Sequence, residues 1–197
     1  MAIAGLLLAA GEGKRYGRPK ALVTLGDGRL LVDRAAEVLR AGGCEPVVVV
    51  LGAAADTVRA SATLAGVSVV DNPLFATGMG SSLRTGLAAL GSMDADAAVV
   101  LLVDTPGITP AAVSRLREAA ATDPARALVI ATYDGQRGHP VLLGRAHWAG
   151  VSELAVGDVG ARPYLARHPV AEVACEDVAD PADMDVPVMA EPPAQRE

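Results

Sequence analysis

A glycine-rich loop with four basic residues follows the first apolar segment of the chain. Residues 6–23 read LLLAAGEGKRYGRPKALV, and seven consecutive positions contain Lys14, Arg15, Arg18 and Lys20. Exposed backbone N–H groups in such a turn can approach phosphate oxygens, and the neighbouring cations can neutralise them. A solvated surface turn is the alternative. Because the loop directly follows a buried strand, we favour a site that binds a polyphosphate.

The spacing of this loop differs from the two commonest nucleotide-binding motifs. Gly11, Gly13 and Gly17 give GxGxxxG, with Tyr16 where the dinucleotide fingerprint GxGxxG has its last glycine. The GK[ST] ending of a P-loop is also missing. A dehydrogenase or a P-loop hydrolase is therefore disfavoured. Pro19 restricts the backbone before Lys20, so that the lysine can be directed towards a ligand.

Two aspartates are candidate metal ligands. Asp104 ends the apolar segment AAVVLLVD, and Mg²⁺ prefers one or two carboxylates together with phosphate oxygens and water. The alternative for Asp104 is a turn, because Asp-Thr-Pro is common turn chemistry. Asp158 is either a second metal ligand or the N-cap of the helix predicted for VGARPYLARH.

Four further polar residues could contact substrates. Ser81 and Ser82 precede LRTGL, so they can cap a helix while their hydroxyls meet a base or a ribose. His139 could bind substrate or only begin a strand. Arg162 could contact an acceptor phosphate or form a surface salt bridge.

The elements that position these residues alternate between apolar runs and amphipathic segments, which is typical of an α/β fold. Strands are predicted at 2–9, 46–52, 67–70, 97–103, 126–133, 139–144 and 171–175, and helices at about 30–41, 54–64, 79–90, 110–121, 145–154 and 158–167. Uniformly apolar strands predict helices on both sheet faces, in a three-layer α/β/α sandwich. The segment GQRGHPVLL is too short to contain a crossover helix, so it predicts a hairpin in a mixed, mostly parallel sheet of about seven strands. Ligands then collect beyond the carboxyl ends of the strands.

Composition limits the class of protein. A chain of 197 residues predicts one domain, residues 1–190, with a frayed tail at 191–197. The net charge of −6 argues against general binding to nucleic acid or to an anionic membrane. The first apolar run lacks the preceding basic residues of a signal peptide. Its length is about half of the ~20 residues that a membrane span needs, so we predict a buried strand. Cys44 and Cys175 stand alone, so we expect a reducing cytoplasm and neither a zinc site nor a disulfide framework.

Several segments together resemble one family. LAAGEGKRYGRPK resembles the LAAGxGxRxGxPK signature of the MobA-like nucleotidyltransferases, particularly the molybdenum cofactor cytidylyltransferases. Similar matches are NPLFATGMGSSL, LVDTPGIT with Thr105 in place of the usual Met, GHPVLL, GDVGAR and DVADPADMD. They extend from residue 3 to about residue 185, and they imply the Rossmann-like fold of the nucleotide-diphospho-sugar transferases.

The resemblance implies a reaction and a set of functional residues. CMP from CTP would be transferred to the phosphate of the molybdenum cofactor, with Mg²⁺ bound and pyrophosphate released, and a molybdoenzyme is a possible partner. The implied catalytic residues are Arg15, Lys20 and Asp104; the nucleotide-binding residues are Leu8, Ala9, Ala10, Gly11, Gly13, Arg15, Lys20, Ser81, Ser82 and Asp104; the substrate-binding residues are His139 and Arg162; and the metal ligands are Asp104 and Asp158.

The choice of CTP depends on Ala10. Related guanylyltransferases tend to read LAGG at this stretch, and the methyl group of Ala10 would narrow the space for the base.

No general base is required, because the second pKa of an acceptor phosphate monoester is about 6. The alternatives are a guanylyltransferase using GTP, a sugar-phosphate or alditol-phosphate nucleotidyltransferase, and a non-catalytic carrier of nucleotide or cofactor.

Overall fold

The computed structural model describes residues 2–13 and 16–184. Lys14 and Arg15, and the tail predicted at 191–197, lie outside the described residues. The roles predicted for Arg15 and the frayed state of the tail therefore stay predictions.

Seven strands form one mixed sheet within the described residues. They are β1 (Ile3–Ala9), β2 (Val47–Leu51), β3 (Ser68–Asp71), β4 (Ala97–Leu102), β5 (Leu128–Tyr133), β6 (Gln136–Gly144) and β7 (Ala171–Ala174). Their order is β3-β2-β1-β4-β6-β5-β7. All neighbouring strands are parallel except β6, which is antiparallel to both β4 and β5. The predicted mixed, mostly parallel sheet is confirmed.

The predicted hairpin joins β5 and β6. Its two-residue turn consists of Asp134 and Gly135, both with positive φ, and Tyr133 pairs with Gln136 across it. Such turns match the right-handed twist of paired strands. Because the turn is so short, β6 begins at Gln136 and not at the predicted position 139.

Six α-helices connect the strands within the described residues. They are α1 (Leu31–Ala41), α2 (Ala55–Ser61), α3 (Met79–Gly91), α4 (Pro110–Ala119), α5 (Trp148–Leu154) and α6 (Arg162–Leu165). Shorter 3-10 turns lie at Lys20–Leu22, Phe75–Thr77, Pro124–Arg126 and Arg145–His147. None of the helices described is long and apolar enough to cross a bilayer.

The last helix is shorter than the predicted 158–167. Gly157 and Gly160 adopt positive φ, which interrupts the helical path, and α6 starts only at Arg162 with Ala161 as its N-cap. The alternative that Asp158 is the N-cap of this helix is therefore wrong.

Two apolar clusters lie on the two faces of the sheet. Side chains of β1 alternate between them, because successive residues of a strand point to opposite faces. Leu7 packs in the cluster that contains α1, α2 and α4, whereas Leu6 and Leu8 pack in the cluster that contains α3, α5 and α6. Cys44 and Cys175 are buried and unpaired. The predicted three-layer sandwich is confirmed.

The parallel register brings several strand ends to one edge. Leu8 of β1 pairs with Val50 of β2 and with Leu102 of β4. The glycine-rich loop after β1, the turn after β4 and the segment between β3 and α3 consequently lie together. This edge carries the candidate site.

Candidate active site

An open cleft of about 500 Å³ lies at this edge. Its lining comes from the first loop, the segment before α3 and the turn after β4, and it includes Leu8, Ala10, Gly11, Glu12, Gly13, Lys20, Phe75, Thr77, Gly78, Met79, Ser82, Leu102, Asp104 and Asp158. Most of the residues predicted to bind nucleotide are therefore brought together. Ala9 and Ser81 do not line the cleft: the side chain of Ala9 packs in the opposite apolar cluster.

An ion pair joins two of the predicted catalytic residues. Lys20 Nζ lies 2.9 Å from Asp104 Oδ2, and the side chains are 14% and 25% exposed. Lys20 begins a 3-10 turn immediately after Pro19, and Asp104 follows the end of β4. The two residues are 84 positions apart, so the fold alone produces this pairing. A cation and a carboxylate at the floor of one cleft can bind a phosphate group and a metal ion, respectively.

The turn that holds Asp104 is fixed by several hydrogen bonds. The Asp104 carbonyl accepts from the backbone N–H of Met184 at 2.8 Å. Thr105 is buried, and its hydroxyl donates to the Leu102 carbonyl at 2.9 Å. Thr105 replaces the Met that is usual in the family signature. Its hydroxyl stabilises the turn that holds Asp104, and the residue does not line the cleft.

Two glycines of the first loop differ in whether a side chain would fit at their positions. Gly13 adopts φ +63°, and a Cβ there would lie 1.9 Å from the carbonyl oxygen of Arg18. The backbone N–H groups of Tyr16 and Gly17 both donate to the Gly13 carbonyl, which folds the loop back on itself. A Cβ at Gly11, by contrast, would meet no described atom within 4 Å. Gly13 shapes the loop, while Gly11 keeps backbone exposed to the cleft.

Asp158 lies across the N-terminus of α3. Its Oδ1 accepts a hydrogen bond from the backbone N–H of Met79 at 3.1 Å, and the carbonyl of neighbouring Gly157 accepts from Gly80 N–H at 2.8 Å. A carboxylate is stabilised there by the exposed N–H groups and by the helix dipole. No other described group donates a hydrogen bond to Asp158. One carboxylate oxygen therefore anchors the loop, and the other is available to a ligand of the cleft.

The two serines of α3 differ from the prediction. The N-cap of this helix is Gly78, so Ser81 and Ser82 lie inside the first turn and do not cap it. Both are buried, at 3% and 5% exposure, and both accept hydrogen bonds from the side chain of Asn72. Asn72 was missed by the sequence analysis.

A second cavity of about 330 Å³ contains the two residues predicted to bind the acceptor. His139 and Arg162 line it together with Arg137 and a mostly aliphatic wall. His139 Nδ1 lies 3.4 Å from the Val100 carbonyl, and burial lowers the pKa of the imidazole below its usual value. The ring is therefore neutral at pH 7. The cavity shares Leu8, Met79 and Leu102 with the cleft, so the two spaces adjoin.

The described residues fit a divalent cation only as part of a larger ligand set. They contain no group of three or more His, Cys, Asp or Glu side chains that could hold a metal ion alone. Asp104 and Asp158 do line the same cleft, and Mg²⁺ commonly takes only one or two carboxylates when phosphate oxygens and waters complete its shell. The donor chemistry therefore suits a metal that arrives with a nucleotide.

Comparison with known proteins assigns the chain to a family. The model of the MobA-like NTP transferase domain matches residues 5–173, and the chain belongs to this family of nucleotidyltransferases. The resemblance based on the sequence motifs is confirmed at this level.

Two relatives have different names. A nicotine blue oxidoreductase from Paenarthrobacter nicotinovorans is 38% identical over 190 residues, which cover 93% of this chain and 92% of that protein. A probable molybdenum cofactor guanylyltransferase from Opitutus terrae is 36% identical over 118 residues, or 60% of this chain and 55% of that protein.

Solved structures confirm the fold. Rv0371c from Mycobacterium tuberculosis H37Rv superposes with a TM-score of 0.80 at 30% identity, over 94% of each chain. A structure of Rv0371c in complex with manganese has a TM-score of 0.71, also at 30% identity, over 88% of each chain.

Proposed function

We propose that the protein transfers CMP from CTP to the phosphate of the molybdenum cofactor and releases pyrophosphate, with Mg²⁺ bound. The observation that supports this most directly is the Lys20–Asp104 pair at the floor of a cleft that adjoins a second cavity. One space suits a metal-bound triphosphate, and the other suits an acceptor.

The charged residues of the cleft would act on the triphosphate. Lys20 Nζ would neutralise phosphate oxygens as negative charge develops on them, and the family resemblance assigns the same role to Arg15. Asp104, together with the second oxygen of Asp158, would hold Mg²⁺. When bound, the metal would supply Lewis-acid polarisation of the phosphate oxygens.

The acceptor needs little help from acid–base chemistry. A phosphate monoester is already largely ionised at neutral pH, because its second pKa is about 6. Its oxygen would attack the α-phosphorus in line as the bond to pyrophosphate breaks. Arg162 would hold the acceptor phosphate, and the neutral ring of His139, whose Nδ1–H points to the Val100 carbonyl, would accept a hydrogen bond at Nε2 from a donor group of the acceptor.

The preference for CTP would come from the wall beside the base. Ala10 lines the cleft and is 4% exposed, and its carbonyl accepts from Ala53 N–H at 3.0 Å, which fixes its position. A methyl group held there leaves less room for a purine. One methyl discriminates by about 1–3 kcal/mol, so a guanylyltransferase, as the Opitutus terrae relative is named, is the nearest alternative.

The function is tested by following pyrophosphate release in Mg²⁺ buffer with molybdenum cofactor as acceptor and CTP or GTP as donor. We expect release with CTP, and its loss in Asp104→Asn, which keeps the size of the side chain but removes its charge. Asp123→Asn is the matched control, because Asp123 is exposed in the loop between α4 and β5. Equal release by wild type and Asp104→Asn would contradict the proposal, and nucleotide binding without release by the wild type would favour the carrier.

A second candidate is an oxidoreductase. It is favoured by one observation, the 38% identity over 93% of the chain with the Paenarthrobacter nicotinovorans relative. The largely aliphatic second cavity could accept a flat heteroaromatic molecule. Loss of NADH or NADPH absorbance in the presence of a heteroaromatic dye, with no nucleotidyl transfer from CTP or GTP, would establish this candidate in place of the first.

A further inference from the structure

Asn72 is a buried amide with a defined orientation. It follows β3, is 1% exposed, and its backbone N–H donates to the Leu51 carbonyl at 2.7 Å. Its Oδ1 accepts from Leu74 N–H at 3.0 Å. A flipped amide would place two donors against each other at that contact, so the NH₂ group must be the end that points to the serines of α3.

Ser81 uses its hydroxyl entirely inside the protein. Its Oγ accepts from Asn72 Nδ2 at 2.8 Å. Its hydrogen has two carbonyl acceptors, Gly78 at 2.8 Å and Leu74 at 2.9 Å. Ser81 does not line the cleft, so its role is to join the start of α3 to the segment before it.

Ser82 differs from Ser81 in one respect. Its Oγ accepts from Asn72 Nδ2 at 3.0 Å, the residue lines the cleft, and no described group accepts its hydrogen. The carbonyl of Gly78, which a helical serine often uses, is bonded by Ser81 instead. A hydroxyl hydrogen on a side chain that is 95% buried is costly to leave without an acceptor, so a ligand in the cleft is the natural acceptor.

We propose that Asn72 is a positioning residue that holds Ser82 as a hydrogen-bond donor to an uncharged acceptor atom on the nucleoside part of the nucleotide. The Asn72 amide donates to one of the two lone pairs of Ser82 Oγ, which turns the hydroxyl hydrogen away from Asn72 and towards the cleft. Ser82 belongs to α3, which forms one side of the cleft. Lys20 and the glycine-rich loop, which suit phosphates, belong to the segment after β1 on the other side. This inference rests on the proposed function, because it requires a nucleotide in the cleft.

The decisive substitutions change the hydrogen-bonding groups of this network with little change in side-chain size, and Asn72→Asp also adds a charge. Asn72→Asp keeps an acceptor for Leu74 N–H but replaces the NH₂ group by an oxygen, to which the Ser82 hydroxyl would then turn. Ser82→Ala removes the donor itself. We expect each variant to weaken CTP binding in Mg²⁺ buffer about tenfold by isothermal titration calorimetry, and the double variant to be no weaker than either.

Two controls separate positioning from general damage. Ser92→Ala makes the same change at the far end of α3, where the hydroxyl donates to the Ala89 carbonyl at 2.8 Å outside the cleft, so CTP affinity should stay within about twofold of wild type. Tripolyphosphate, which lacks the nucleoside, should bind Ser82→Ala, Asn72→Asp and wild type equally. This second control also detects any effect of the added charge in Asn72→Asp.

Several outcomes would overturn the inference. Unchanged CTP affinity in Ser82→Ala would do so even if Asn72→Asp failed to fold. So would an equal loss of CTP and tripolyphosphate affinity, since the contact would then be to phosphate. If wild-type protein bound neither CTP nor GTP, the proposed function would fail, and the inference, which requires a nucleotide in the cleft, would fail with it.

Discussion

The cleft and the second cavity share a wall but are lined in opposite ways. Leu8, Met79 and Leu102 separate them. The cleft presents exposed backbone, an ion pair and carboxylates, while the cavity is mostly aliphatic with Arg137, Arg162 and His139 among its few polar groups. One space is therefore suited to bind charged groups, and the other is suited to select an acceptor by its shape. Substitutions in the two spaces should therefore affect different kinetic constants.

The largest effect is expected at Lys20. Lys20→Met keeps most of the side-chain volume but removes the charge that faces Asp104. Because loss of a preorganised charge-stabilising group typically costs about 10²–10³-fold in rate, kcat should fall by that factor. Steady-state kinetics with varied CTP and varied acceptor would measure it. A large rise in the KM of the acceptor alone would contradict the assignment of Lys20 to the nucleotide side.

A smaller effect is expected in the cavity, on the KM of the acceptor and not on kcat. Arg162→Gln removes a cation that lines the second cavity but not the cleft. Loss of a charge-assisted hydrogen bond should raise the KM of the acceptor about tenfold or more and leave CTP affinity within about twofold. Calorimetry with CTP and kinetics with varied acceptor would separate the two constants. Matched weakening of both would show that the spaces are not independent.

The base preference should respond to one methyl group. Ala10→Gly enlarges the cleft beside the predicted base, without touching the cavity. We expect the ratio of kcat/KM for CTP to that for GTP to fall by about tenfold, within the range that one methyl can supply. Competition between CTP and GTP in one reaction would measure the ratio. An unchanged ratio would place the discrimination elsewhere.

The smallest effect concerns stability and pH. Burial lowers the pKa of His139 in the folded protein below its usual value of 6.5. The unfolded chain therefore binds this proton more readily, and the contribution of His139 to stability is lost as pH falls below about 6.5. Urea unfolding at pH 7.5 and pH 5.5 should show a smaller loss of stability in His139→Gln than in wild type. Equal losses would mean that the ring is not held neutral.

Much of the fold follows from local patterns. Uniformly apolar runs such as β2 and β4 predict buried strands, and the observed strands differ from the predicted ranges mainly at their ends. The start of β6 was misplaced, although Asp134-Gly135 between two strand-like runs is itself a hairpin signal. The shortening of α6 depends on positive φ at Gly157 and Gly160, which the helical pattern of the following residues conceals.

The candidate site was only partly predictable, because its contacts are long-range. Lys20 and Asp104 could be nominated from their loops, but their pairing arises from the parallel register of β1 and β4. Asp158 was predicted to be either a second metal ligand or the N-cap of its own helix, and neither alternative foresees that its Oδ1 accepts from the Met79 N–H at the start of α3. Asn72 carries no local signal beyond an Asn-Pro turn, and only the fold shows that it contacts two serines.

The most direct test of the central claim is to follow the α-phosphate of CTP. With CTP labelled in that phosphate, molybdenum cofactor and Mg²⁺, the account predicts that label appears in a dinucleotide product in step with pyrophosphate release, and that Lys20→Met nearly abolishes both. Label that remains in CTP while the protein oxidises NADH or NADPH with a heteroaromatic acceptor would contradict the assignment of the cleft to nucleotidyl transfer.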